Sequence, residues 1–67
     1  MKTLEVQKRM KEKGISVARM SAELHMNPST YYRKMNKNGD EFSAADLNVF
    51  KRVLEMDAQT ALDFLLS

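Results

Sequence analysis

Between Leu24 and Pro28 the chain has three residues in which to end one helix and begin another, and that constraint governs what it can fold into. Upstream, Val17, Met20, Ser21 and Leu24 fall on one side of a helical wheel, so residues 16–24 can lay an apolar stripe on a neighbour. Ser16 follows Gly14-Ile15 and suits the N-cap, because its hydroxyl can accept from the amides of the first turn. Downstream, Asn27 is again a capping residue. Pro28 fits the first helical position, where its missing N–H would have been unpaired anyway. Two helices linked only by His25, Met26 and Asn27 cannot lie antiparallel. They must cross steeply, as the two halves of a helix-turn-helix do.

The second of these helices, residues 28–36, divides its faces. Tyr31 and Met35, spaced i and i+4, are expected to point inward. Ser29, Tyr32 and Arg33 then point outward, with Pro28 and Thr30 near the exposed N-terminal end. Hydroxyls, a phenol and a guanidinium on one face can hydrogen-bond base edges and phosphates. A nine-residue amphipathic segment alone would be read as an ordinary solvated helix face. Following a capped helix and a tight turn, it points to DNA, and the expected contact set is Ser16, Asn27, Pro28, Ser29, Thr30, Tyr32, Arg33 and Lys37.

The run resembles the helix-turn-helix of the lambda-repressor-like family, which contains the phage Cro and repressor regulators and their small bacterial relatives. The residues that carry the resemblance are Gly14-Ile15-Ser16, Met20-Ser21, Leu24, Met26-Asn27 and Ser29-Thr30-Tyr31-Tyr32-Arg33. The continuation through Arg33-Lys34-Met35-Asn36, a short polar loop and Phe42-Ser43 is similar to small Cro-like regulators of Gram-positive phages. The resemblance spans about residues 6–65 and implies a compact five-helix, all-α DNA-binding fold. There are departures. The family usually has alanine at the position of Ser21, glycine at His25 and often glutamine at Val17, where a polar side chain anchors the DNA. It also tends to carry a buried Arg–Glu pair between the first helix and the recognition helix, and those two positions hold Met10 and Met35. Replacing both members of a buried ion pair by packed apolar residues is tolerable, whereas replacing one is not.

Sixty-seven residues make a single domain, 1–67, with a modest core and no room for a separate effector or dimerisation domain. With no cysteine there are no disulfides or thiolate metal sites, which fits a reducing cytoplasm. No apolar run approaches a membrane span and no signal-peptide pattern is present. One histidine and no clustered ligand spacing argue against a metal. No nucleophile–base pattern or phosphate-binding glycine loop stands out, so neither an enzyme nor a cofactor is expected. The net charge of +2 conceals an asymmetry: residues 1–38 hold nine Lys and Arg against three acids, a balance of +6, while residues 39–67 hold two against six, a balance of −4. Such a division suggests one surface turned towards a polyanion and another turned away.

The remaining chain reads as scaffold. A first helix over about 3–13 should end at Gly14, with Val6 and Met10 inward, Leu4 elsewhere, and most of Lys8, Arg9, Lys11 and Lys13 on a solvated face from which some can touch phosphate. Lys37 to Glu41 form a loop with an Asn38-Gly39 turn signal, of which only the first part suits a phosphate, since Asp40 and Glu41 repel one. Ser43 and Asp46 have capping-box spacing, Phe42 can staple onto Leu47, and Leu47, Phe50, Val53 and Leu54 supply a core stripe. Asp57 caps a last helix over about 58–66, whose Ala58, Ala61, Leu62 and Leu65 recur at i, i+3, i+4 and i+7. The methionines, Met20, Met26, Met35 and Met56 among them, read as core filler. Phe64 and Leu66, at the edges of that last helix, are the candidate surface for a weak homodimer formed on DNA, evenly matched with the reading in which Phe64 closes the core of a monomer.

The sequence therefore leads to a regulator of the phage Cro type that inserts residues 28–36 into the major groove of an operator. A rival reading keeps the fold but makes it a protein-interaction module, an antirepressor or modulator that binds another regulator. Val17 in place of a polar anchor and the acidic C-terminal half favour that rival.

Overall fold

The structure, a computed structural model, describes residues 1–66, which form five helices in chain order: α1 (Thr3–Glu12), α2 (Val17–Glu23), α3 (Pro28–Met35), α4 (Ala44–Val53) and α5 (Ala58–Leu65). Four of them start in the same way. Ser16, Asn27, Ser43 and Asp57 each hold an extended backbone, and each side chain accepts from the amide three residues on. At α4 the box is complete, because Asp46 returns an acceptor to the Ser43 amide at 3.0 Å. Only α1 starts without a side-chain cap.

Helix endings repeat as well. After α1, Gly14 takes φ +69°, with Gly14 N–H donating to Lys11 and Ile15 N–H to Met10. The same paired bonds follow α2 with His25 at φ +57°, α4 with Glu55 at φ +53°, and the turn after α3 with Asn38 at φ +60°. Glycine is free in that left-handed region and asparagine tolerates it; His25 and Glu55 carry a backbone cost there. Among the described residues, three of the four stops closed by such paired bonds place a residue other than glycine at the left-handed position, Gly39 following Asn38 in the turn after α3, and Glu55 was not legible as one.

The core is Val6, Met10, Ile15, Met20, Leu24, Tyr31, Met35, Phe42, Phe50, Val53, Leu54, Met56 and Leu65. Contacts between elements run from α1 to α5 and from α2 to both α3 and α4. The Tyr31 ring lies 6.2 Å from that of Phe42 and 6.4 Å from that of Phe50, and the two phenylalanines meet edge-on at 5.1 Å. These three rings fasten α3 to the loop behind it and to α4.

Two expectations need correction. Within α5, Ala58 and Leu62 are exposed, Leu62 by 53%, and the helix buries Leu65 with Ala61 and Phe64 partly covered. The expected stripe was rotated, because α5 leans on α1 and is also held by Lys2, whose amide donates to the Phe64 carbonyl at 2.7 Å and whose ammonium meets Asp63 at 2.7 Å. Arg9, one of the four basic residues of α1 expected to be mostly solvated, is a tertiary cap. Its Nε donates to the Leu54 carbonyl at 2.9 Å and its Nη2 to the Glu55 carbonyl at 3.1 Å, at the C-terminal end of α4. A cation there also suits the negative end of the helix dipole.

Candidate nucleic-acid interface

The turn from α2 to α3 is Leu24, His25, Met26 and Asn27. Leu24 is buried and Met26 packs partly against the core, so the turn is pinned from inside while His25 and Asn27 face outward. Ser21, buried at a position where a small residue is needed, satisfies its hydroxyl within α2 by donating to Val17 at 2.8 Å and Ala18 at 3.1 Å. A serine therefore fits the interior with no orphaned polar atom.

On α3, Tyr31 and Met35 are buried, as their spacing predicts, while Pro28, Ser29, Tyr32 and Arg33 are exposed and Thr30 is half-buried. Asn27 Oδ1 accepts from the Thr30 amide at 2.9 Å and from the Ser29 hydroxyl at 2.6 Å. The N-terminal end of α3 is thus preorganised, and Ser29 must exchange that bond before it can donate elsewhere. Tyr32 stands 53% exposed, its ring edge-on to Tyr31 at 5.8 Å. Ser16 is exposed at the start of α2 and caps it through the Arg19 amide at 3.0 Å.

Beside these residues is a hollow of 370 Å³ bounded by α1, the start of α2 and α3. Met10, Ile15, Tyr31 and Met35 are buried there, whereas Lys11, Ser16, Tyr32 and Asn36 are exposed on it. Lys11 and Asn36 join the candidate surface only through the fold. No spacing in the sequence links them. Within the interior the Tyr31 hydroxyl donates to the Met10 thioether at 3.3 Å, so α1 and α3 are joined by an O–H···S contact. Burial is the main reason that the Tyr31 phenol is pushed up to about 12, with the neighbouring Tyr32 adding to it.

The charges are arranged otherwise than the two halves of the sequence imply. Lys2 pairs with Asp63 and Lys13 with Glu55, so basic residues of the first half meet acids of the second. Glu23 lies 3.5 Å from Arg52 and 4.0 Å from Arg19. At the end of α3, Glu41 takes Arg33 on one carboxylate oxygen and Lys37 on the other, each at 3.0 Å. The hydrogen bond from Lys37 is the largest cause holding the Glu41 carboxyl below its ordinary range; the charges of Lys37 and Arg33 act in the same direction. Lys34 is turned away from this triad, 5.8 Å from the centre of the Phe42 ring. A basic face set against an acidic one is therefore partly replaced by interleaved pairs, and among the described residues Lys8, Arg9 and Lys11 of α1, with Lys34 and Lys51, stand outside the ion pairs.

Of the two residues expected at a dimer surface, Leu66 is 64% exposed, whereas Phe64 is partly buried against the core. The exposed apolar surface at this end is instead a shallow groove between α4 and α5, with Ala44, Ala58, Leu62 and Leu66 along it.

The described residues thus make a compact all-helical protein of five helices, none long and apolar enough to cross a membrane. Comparison with protein-family models, curated proteins and solved structures finds no match.

Proposed function

We propose that this chain is a sequence-specific DNA-binding transcriptional regulator of the lambda-repressor-like, Cro-type class. In this reading α2 and α3 are the helix-turn-helix, and α3 enters the major groove of double-stranded operator DNA. The observation that carries the reading is the division of α3: Tyr31 and Met35 anchor it in the core, leaving Ser29, Tyr32 and Arg33 exposed beside a preorganised Asn27 cap. Ser29 and Tyr32 supply base-edge and backbone hydrogen bonds, Arg33 a fork suited to guanine or phosphate, and Ser16 and Lys37 backbone contacts. Asn27, Pro28 and Thr30 shape the leading end of the helix. A Cro-type regulator acts sterically from the cytoplasm, its bound form covering a promoter.

The second reading, a module that binds another regulator, is favoured by two observations. Glu41 already neutralises part of the charge at the end of α3, and Leu62 and Leu66 leave apolar surface uncovered at α5. Selection of bound sequences from a random DNA pool decides between the two, followed by binding across salt concentrations. A DNA regulator enriches a partly palindromic site and loses affinity steeply as salt rises. No enrichment, with no salt-dependent binding, rejects it.

A further inference from the structure

The end of α3 holds two cations and one carboxylate. Arg33 lies in the last turn of α3, Lys37 one turn later, and Glu41 beyond the left-handed turn at Asn38 and Gly39. That turn brings the carboxylate back over the helix end, where Arg33 Nη1 donates to Oε1 and Lys37 Nζ to Oε2. The pair of oxygens matches in charge and spread the two free oxygens of a DNA phosphate. It sits between the two side chains expected to meet one.

We propose that Glu41 is a built-in competitor that lowers sequence-independent DNA binding at the Arg33–Lys37 end of α3. The inference rests on the DNA-binding reading above. Sequence-independent binding draws its affinity from phosphate neutralisation and the counterions this releases. With Glu41 seated between them, Arg33 and Lys37 together present one net positive charge rather than two. A phosphate can displace the carboxylate, because all three side chains are well exposed and a surface pair is weakly held. Displacement then leaves an unpaired anion beside the polyanion. Base-edge contacts from Ser29 and Tyr32, towards the other end of the helix, are free of this penalty. Glu41 therefore lowers the phosphate-driven part of binding, which every duplex sequence offers.

Asp40 supplies the control. It neighbours Glu41 and carries the same charge, yet it is exposed and stands outside the ion pairs of the described residues. Binding of the full chain to a labelled duplex of arbitrary sequence, about 20 base pairs long, is measured by anisotropy from about 50 to 200 mM salt. Glu41→Gln frees one phosphate-neutralising charge, so it should steepen the slope of log K against log salt by about 0.9 and tighten binding about eightfold near 0.1 M salt. Asp40→Asn should shift affinity by less than about twofold, its charge being screened by salt and matched to no cation. Adding Lys37→Gln to Glu41→Gln should return the slope to near that of the unaltered chain.

Equal gains from the Glu41 and Asp40 variants would show a net-charge effect and overturn the proposal. So would an unchanged Glu41→Gln slope in a chain that binds DNA. If neither the unaltered chain nor Glu41→Gln binds duplex at the lowest salt, the DNA reading itself falls, and the inference with it. Thermal melting of each variant checks that it folds, as expected for substitutions of exposed side chains.

Discussion

Arg9→Met tests whether the guanidinium that joins α1 to the end of α4 is a working part of the fold. Methionine keeps most of the stem's apolar contact and removes both hydrogen bonds. The bond to the part-buried Leu54 carbonyl is charge-assisted and worth about 1.5 kcal/mol, while the more exposed one to Glu55 is worth about 0.5–1 kcal/mol. Loss of a cation at the helix C-terminus adds about 0.3–0.5 kcal/mol. The expected destabilisation is about 2–3 kcal/mol, against a total stability on the order of 3–10 kcal/mol for a chain of this size. In urea, with a slope of about 1 kcal/mol/M, the midpoint should fall by about 2–3 M. In a thermal melt the drop should be on the order of 10–20 °C. Arg9→Lys keeps the charge but cannot span both carbonyls, and should recover no more than about half of the loss. A loss below about 0.5 kcal/mol for Arg9→Met, the ordinary range for surface changes, would refute the capping role.

Arg33→Ala should weaken operator binding by about 1–3 kcal/mol if its contact is bidentate to guanine, whereas Lys37→Ala should weaken all sequences alike and flatten the salt slope by about 1; unchanged affinity in the Arg33 variant would remove that residue from the contact set. Met35→Glu buries a carboxylate beside Tyr31 and should cost about 3–5 kcal/mol, and adding Met10→Arg should restore part of it; a double variant no more stable than the sum of the single losses would separate the two sites. The raised Tyr31 phenol stabilises the fold fully below its unfolded value near 10, and that contribution is lost as pH rises through about 12. Tyr31→Phe should abolish that alkaline loss, as read from denaturation midpoints across this window, and an undiminished loss would assign it to other groups.

Two features of the candidate site show why its charge was hard to read. Arg33, Lys37 and Glu41 recur at spacings of four, which on an uninterrupted helix would place them on one face. The chain reaches nearly the same juxtaposition by ending the helix at Met35 and folding back through the left-handed turn at Asn38 and Gly39, so the triad depends on the turn. The basic and acidic halves of the chain likewise look like separate surfaces in one dimension. Once α5 is docked on α1, they face each other as Lys2–Asp63.

By itself the sequence determined what depends on a few neighbouring residues. The caps at Ser16, Asn27, Ser43 and Asp57, the stop at Gly14 and the sharp turn through His25 all arise from bonds within one turn of helix, and the i, i+4 spacing of Tyr31 and Met35 marked one side of α3. Such bonds carry little loop-closure cost and are encoded by spacing alone. Only the tertiary structure decided which face of α5 is covered, leaving Leu62 outside and Phe64 half inside, because helical periodicity says nothing of which neighbour arrives. It also decided the partners of Arg9, 45 and 46 residues away, and gathered Lys11 and Asn36 around the same hollow. Those arrangements follow from the packing of whole helices, in which each side chain's partner is set by the sum of all the others.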